Sequence, residues 1–233
     1  MRPDRDGDVE VRRRRRGPRA LKRAMDLVGA ATGLLLLSPV LAVTALAVAA
    51  IDGPPVLFRQ RRPGLGGKPF TILKFRTMRE PLPTEVWYRT DARRVSRLGG
   101  FLRATSLDEL PELWNVLRGE MSLVGPRPLL MEYLDVYTAD ERRRHEMPPG
   151  ITGWAAVNGR HAIPFHERLK LDVWYVDHWS LRLDLKILAL TVHHLIRRPN
   201  VATTQDVDVF GAPLPGGPRD PHTKERGATS QRQ

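Results

Sequence analysis

From Leu27 to Ile51 no residue carries a charge, and Asp26 and Asp52 close the run at its two ends. At about 1.5 Å per residue, a helix of this length reaches across a hydrocarbon core of about 30 Å. A secretory leader is the first rival, because Arg12 to Arg16 resemble its basic start and Ala47 to Ala50 supply small residues near the far end. The apolar run is too long for such a leader. The flanks decide more. Arg12 to Arg16, Arg19, Lys22 and Arg23 precede the run; Arg59, Arg61, Arg62, Lys68, Lys74, Arg76 and Arg79 follow it. Positive flanks stay on the cytoplasmic side, so both ends prefer one side, which a hairpin satisfies and a single span does not. Ser38-Pro39 stands in the middle of the run. Pro39 removes a backbone donor and crowds the carbonyl of Leu35, so a helix bends or breaks there. The Ser38 hydroxyl, with Thr32 and Thr44 nearby, can satisfy one or two freed groups. The reading is a re-entrant helix broken at Ser38-Pro39; an ordinary kinked anchor is the alternative.

The remainder reads as one compact domain with loose ends. The chain has 233 residues, a formal net charge of +12 and no cysteine. Its mean hydropathy is negative, which excludes a polytopic membrane protein and leaves the apolar run as a local feature. The missing cysteines exclude disulfides, thiolate zinc sites and a thiol nucleophile. The charge suits nucleic acid, anionic lipid or phosphorylated substrates without choosing among them.

Along the chain, residues 1–18 read as a disordered basic start that lies on anionic headgroups. Val56 to Gln60 and Phe70 to Phe75, separated by Gly64-Leu65-Gly66-Gly67, predict a β-hairpin. Residues 80–98 read as loop then helix. Leu107 to Leu117 predicts a helix whose Ser106 and Glu109 have capping-box spacing, with Pro111 in its first turn. Leu129 to His145 predicts a second helix, ended by Pro148-Pro149-Gly150. Arg168 to Trp179 predicts a third, with Leu169, Val173 and Val176 on one face, and Leu181 to Ile196 a fourth that packs on the core or lies in the membrane interface. From Pro213 onward, proline, glycine and charge predict disorder.

The chemistry concentrates between Leu102 and Leu130. Two adjacent carboxylates, Asp108 and Glu109, sit at a helix start; Arg103, Arg118 and Arg127 surround them in sequence; and Gly125-Pro126-Arg127-Pro128 forms a rigid turn that fixes Arg127. Neighbours on a helix point about 100° apart, so the two carboxylates do not share one position but can face one wide cleft. A carboxylate attacks phosphorus once cations have neutralised the phosphates, and arginine forks, lysine and a divalent ion supply that. Taken alone, an Asp-Glu pair is more often helix-cap chemistry.

This segment resembles the bacterial sugar transferase family, the monotopic polyprenyl-phosphate phosphoglycosyl transferases, and the likeness runs from about Leu21 to Arg198. It is carried by Lys22-Arg23-x-x-Asp26, the Ser38-Pro39 break, Phe58-Arg59-Gln60-x-Arg62-Pro63-Gly64, Lys74-Phe75-Arg76-Thr77-Met78, the central segment, Pro149-Gly150-Ile151-Thr152-Gly153-Trp154 with Val157-Asn158-Gly159-Arg160, and Leu171-Asp172-x-Trp174-Tyr175-Val176. The resemblance implies an α+β, mainly helical fold: a re-entrant membrane helix (19–52), a β-hairpin, and a small catalytic domain (53–200) with interfacial amphipathic helices, followed by a C-terminal extension (201–233). It places the protein monotopically on the cytoplasmic face of the bacterial inner membrane, with a homodimer compatible.

The resemblance also implies a reaction. Asp108 is the nucleophile that takes a sugar 1-phosphate from a UDP-sugar, releasing UMP; polyprenyl phosphate then collects it, with Glu109 as general base. This is the first membrane step of an exopolysaccharide, capsule or related glycan. Magnesium is expected at Asp108. Arg103 and Arg127 contact substrate, Lys74 and Arg76 hold phosphates or brace the dyad, Pro39 shapes the membrane helix, and Pro126 shapes the lipid-phosphate pocket. Two departures stand out: Ala155-Ala156-Val157 where many relatives have Ala-Gln-Val, and Ile163-Pro164-Phe165-His166 without the usual Trp-Glu. A non-catalytic membrane scaffold and a basic nucleic-acid binder are the competing readings. Ala156 alone supports the first; the second lacks any helix-turn-helix, RNP or zinc pattern.

Overall fold

A computed structural model of the chain describes residues 5–80, 82, 94–158 and 164–197. The first helix, α1 (Arg5–Leu36), takes in residues 5–18 of the stretch read from sequence as a disordered basic start. α2 (Ser38–Ile51) follows after Leu37, and the pair bends by 62°. Among the described residues no single helix is long and apolar enough to cross a membrane, whereas this bent pair passes that test together. The bend has a local cause. Pro39 cannot donate to the carbonyl of Leu35, and the Ser38 hydroxyl donates to it instead at 2.8 Å. Large side chains on the pair point away from the protein: Leu35, Leu36, Val43, Leu46 and Ile51 are all at least 66% exposed. Thr44 and Val48 are buried against the rest of the fold.

α1 is anchored by its polar residues. Lys22 donates to Asp184 at 2.8 Å and to the carbonyl of Val124 at 2.9 Å. Arg23 donates to the carbonyls of Val116 and Leu117. Asp26 accepts from the Ser122 hydroxyl and the Leu123 amide, each at 2.9 Å. Gly29 allows the close approach this needs, since a Cβ there would lie 2.6 Å from Leu123 Cδ1.

β1 (Leu57–Pro63) and β2 (Pro69–Phe75) form the expected antiparallel hairpin, from Leu57 opposite Phe75 to Pro63 opposite Pro69. Strand alternation sends Phe70 and Ile72 into the core, where they meet Ala30 of α1 and Leu113, Val116 and Met121. Lys74 is next in the same inward row, and that register carries its ammonium into the protein. α3 (Arg97–Thr105) follows, opened by the Ser96 side chain, which accepts from the Gly99 amide.

The helix expected over Leu107 to Leu117 is two pieces. A 3-10 turn covers Leu107–Glu109, and α4 starts only at Glu112, running to Arg118. The capping box does not form: Ser106 makes no side-chain cap and sits in the left-handed region at φ 57°. Asp108 and Glu109 therefore occupy a separate turn ahead of the helix, with Pro111 between them and the regular hydrogen-bond ladder. The helix expected over Leu129 to His145 is also interrupted, into a 3-10 turn Met131–Asp135, α5 (Ala139–Arg142) and a second 3-10 turn Arg143–Glu146. Thr138 closes a true capping box with Glu141 and so starts a new helix inside the expected one.

β3 (Ser122–Val124) and β4 (Gly150–Thr152) form a short parallel pair. It brings the Gly125-Pro126 turn onto Gly150: the Gly150 amide donates to the Pro126 carbonyl at 3.0 Å, and the Gly125 amide to the Thr152 carbonyl at 2.9 Å. A Cβ on Gly150 would lie 2.0 Å from the Gly125 nitrogen, so only glycine fits. α6 (Trp154–Val157), α7 (Phe165–His178) and α8 (Leu181–Arg197) complete the described chain. Leu169 and Val173 of α7 are buried, as its periodicity required. α8 buries Asp184 and Ile187 but leaves Leu185, Val192, Leu195 and Ile196 exposed, so it is amphipathic and also packs on the core. Residues 83–93 and the chain from 198 onward, including the expected disordered tail, lie outside the described residues.

Candidate active site

The dyad is held by three elements. The chain leaves α3 through Ser106, whose positive φ reverses its direction. A non-glycine residue held there costs on the order of 1–3 kcal/mol, a strain that typically accompanies functional sites. The 3-10 turn that follows presents Asp108, 8% exposed, and Glu109. β2 supplies Lys74, and the Gly125-Pro126-Arg127-Pro128 turn supplies Arg127.

Glu109 is the point where the cations converge. Its Oε1 accepts from Lys74 Nζ at 2.8 Å and from Arg127 Nη2 at 2.7 Å. Burial works to raise its pKa, but the charges and hydrogen bonds of Arg127 and Lys74 prevail and hold the carboxyl far below the usual range. With both cations on it, Glu109 is a weak base. Asp108 is the opposite case. Among the described residues none donates a hydrogen bond to its carboxylate. Burial, reinforced by the negative charge of Glu109, pushes it up to about 6 against the pull of Lys74, Arg103 and Arg127. One carboxylate is thus neutralised and pinned, and its neighbour is left available and surrounded by positive charge.

Lys74 has a second partner. Glu112, in the first turn of α4, places Oε1 3.3 Å from Lys74 Nζ. Burial alone would lower the Lys74 pKa; the carboxylates of Glu109 and Glu112 outweigh it and hold the ammonium above the ordinary lysine value. Asn115, one turn further along α4, accepts from the Leu73 amide at 3.0 Å and donates to the Thr71 carbonyl at 2.7 Å, fixing β2 beside the dyad.

The other residues singled out from sequence take different places. Arg103 donates to the Thr77 hydroxyl at 2.9 Å and reaches Asp108 through its charge. Arg76 is not at the dyad. It donates to the carbonyls of Asp52, Gly53 and Pro54 and ties the exit of α2 to the end of β2. It lies past the last residue of β2, so the inward row that carries Lys74 does not extend to it. Pro126 shapes the turn through its carbonyl, and Ser38-Pro39 lies at the bend between α1 and α2. Arg118 pairs with Glu120 at 3.2 Å, away from the dyad.

Sequence reading missed a buried support beneath Arg127. Arg144, fully buried, donates to the Arg127 carbonyl and to Asp172, each at 2.6 Å, and also to the Tyr137 hydroxyl. Asp172 lay in a quoted pattern but gave no sign of its partner; Arg144 sat unremarked in a run of arginines. Glu112 was missed too, although its spacing of three from Glu109 was visible.

A cavity of about 310 Å³ adjoins the site. It is lined mainly by apolar groups. Gly33 and Leu37 of the bent pair share it with Glu109, Arg127, Ala156 and Leu195. Ala156, where a glutamine would project a polar head, here leaves the wall smooth.

Among the described residues no three His, Cys, Asp or Glu side chains gather as a metal cage. A carboxylate that accepts no hydrogen bond from a described residue, beside Lys74, Arg103 and Arg127, still has the chemistry to take magnesium. That ion takes one or two carboxylates and completes its shell with substrate phosphates and water.

The model of the family described as bacterial sugar transferase matches residues 17–198. The chain is 50% identical over 187 residues to the uncharacterized sugar transferase EpsL of Bacillus subtilis, covering 80% of this chain and 93% of that one. It is 44% identical over 189 residues to the UDP-glucose:undecaprenyl-phosphate glucose-1-phosphate transferase of Caulobacter vibrioides, covering 77% of this chain and 71% of the relative. To the UDP-galactose-lipid carrier transferase of Erwinia amylovora it is 39% identical over 198 residues, 77% of this chain but 41% of the relative. The chain belongs to the bacterial sugar transferase family and is a transferase.

Proposed function

We propose that this protein moves a hexose 1-phosphate from a UDP-sugar to a polyprenyl phosphate, through a phosphosugar held covalently on Asp108. The observation that carries the reading is the unequal pair: Asp108 accepts no hydrogen bond from any described residue and sits among cations, while Glu109 beside it is pinned by Lys74 and Arg127.

In the first step an Asp108 carboxylate oxygen attacks the sugar-proximal phosphorus. The bond from that phosphorus to the bridging oxygen breaks, and UMP departs with the electron pair. Lys74, Arg103 and Arg127 neutralise the diphosphate, which a free carboxylate could not otherwise approach. In the second step an oxygen of the polyprenyl phosphate attacks the same phosphorus. The acyl-phosphate bond breaks, the Asp108 carboxylate is regenerated, and a polyprenyl diphosphate sugar leaves. Glu109 takes any proton that the acceptor phosphate still carries. Bound at Asp108 together with the substrate phosphates, magnesium would supply further charge neutralisation.

The membrane arrangement belongs to the same reading. Both flanks of the bent pair are basic, and its exposed face is apolar, which suits re-entry into the cytoplasmic leaflet of the inner membrane. The apolar cavity joins the bend of that pair to Glu109 and Arg127, a path suited to an isoprenoid chain whose phosphate must reach the dyad. The relatives named for UDP-glucose and UDP-galactose support a UDP-hexose donor. The test is UMP release across a panel of UDP-sugars with magnesium: one equivalent without acceptor and continuous release with polyprenyl phosphate. No release from any UDP-sugar overturns the reading.

A further inference from the structure

We propose that Glu112 is a positioning residue that keeps Lys74 beside Asp108 when an anionic substrate draws the lysine off Glu109; the inference rests on the reading above. Glu109 cannot act as a base while Lys74 and Arg127 both donate to its Oε1. A diphosphate entering at Asp108 competes for those same donors. The ammonium, on a flexible four-carbon stem, then needs a second anchor to stay in place. Glu112 supplies it. The residue is 2% exposed, and Oε1 lies 3.3 Å from Lys74 Nζ yet accepts no hydrogen bond from any described residue. An open acceptor buried this deeply is costly unless used, and Lys74 is the donor within reach. α4 fixes Glu112 through its own packing, with Leu113 and Val116 in the core and Asn115 bound to β2. The lysine can thus move from Glu109 to a phosphate oxygen while Glu112 holds its other side. Glu109 is freed for the acceptor step, and positive charge remains at Asp108. Burial, with the charge of Glu109 adding to it, pushes the Glu112 carboxyl up to about 7 against the pull of Lys74, as the proximity of three charged groups requires.

Two measurements on the full chain in lipid nanodiscs test this. The first needs no turnover: the rate at which Lys74 is acetylated by a water-soluble N-hydroxysuccinimide ester, read by peptide mass spectrometry. The neutral amine reacts, so loss of the Glu112 anchor, which favours the ammonium, speeds labelling. Glu112→Leu should label Lys74 at least threefold faster than wild type. The second is the rate of phosphosugar adduct formation. Glu112→Leu should lower it about tenfold, and Glu112→Gln, which retains a side-chain oxygen acceptor, should recover at least a third of the wild-type rate. In a Lys74→Met background, Glu112→Leu should change the residual rate less than twofold, because the group it positions is gone. A merely structural Glu112 would give the same fractional loss in both backgrounds, and that result overturns the proposal, as does unchanged Lys74 labelling in a folded variant. Should Glu112→Leu fail to fold, labelling of Glu112→Ala, which also removes the acceptor, decides, with no acceleration overturning the proposal. If wild type forms no adduct with any UDP-sugar, the transfer reading falls, while the labelling comparison still decides whether Glu112 holds Lys74.

Discussion

Arg144 donates a 2.6 Å hydrogen bond to the backbone carbonyl of Arg127. The side chain of Arg127 in turn holds Glu109 at 2.7 Å. The orientation of the dyad is therefore passed down from a buried guanidinium that is itself pinned by Asp172 of α7. Turn, helix and the Glu109 carboxylate form one hydrogen-bonded chain.

Arg144→Met should be strongly destabilising. It leaves Asp172, 4% exposed, without its ionic partner, and breaking such a buried pair costs about 3–5 kcal/mol. Chemical denaturation of the variant measures this. The double variant Arg144→Met with Asp172→Leu should recover much of the stability, because no lone charge stays buried. It should not recover adduct formation, because the carbonyl of Arg127 remains unsupported.

Asp108→Asn should abolish transfer and raise stability at pH 8. The folded-state pKa, about 6, lies above the ordinary aspartate value of 3.8, so the folded protein favours the protonated form. The folded state then binds more protons than the unfolded one between those values, and stability falls as pH rises through that window. At pH 8 the full penalty is present, and a neutral side chain removes it, for a gain of about 1–3 kcal/mol. Below pH 4 the difference should vanish. Melting temperatures of both proteins at the two pH values check the sign.

Single-turnover adduct formation should decline as pH falls through about 6, where Asp108 takes up a proton. After burial, the negative charge of Glu109 is the next cause of that elevated pKa. Glu109→Gln should therefore move the acidic limb to lower pH. The first step does not need Glu109 as a base, so this variant should still form adduct while its transfer to polyprenyl phosphate slows about a hundredfold.

Much of this architecture was readable in the sequence wherever one local signal dominated. The hairpin followed from two β-prone runs around a glycine-rich turn. The bend followed from a proline in an uncharged run. Asp108, Glu109, Lys74 and Arg127 came from motifs, and the structure brings them together. What failed were helix boundaries. Ser106 had the spacing of a cap, but the chain spends that residue on a left-handed reversal, and a competing cap at Thr138 divided the helix expected over Leu129 to His145. What was invisible were long-range pairs. Arg144 with Asp172 and Lys22 with Asp184 are separated by many elements, and a single sequence carries no record of which charges meet. Arg76 shared a motif with Lys74 but fell past the strand end, where it meets carbonyls of the loop after α2.

Lys22→Met should loosen α1 from β3 and α8, to which Lys22 ties it. It removes the ion pair with Asp184, whose side chain is fully buried and then keeps, among the described residues, Tyr175 and Trp179 as donors. The expected loss is about 3–5 kcal/mol. Limited proteolysis should cut between residues 51 and 57 faster than in wild type, since α1 and the α2 that follows it are then held less firmly against the rest of the fold.

The most direct measurement of the central claim is intact-mass spectrometry of the protein after brief exposure to a UDP-hexose and magnesium without acceptor. A mass increase equal to one hexose phosphate is expected, mapped to the peptide containing Asp108, chased away by polyprenyl phosphate and absent from Asp108→Ala. A variant without that carboxylate that still loads polyprenyl phosphate at the wild-type rate would contradict it.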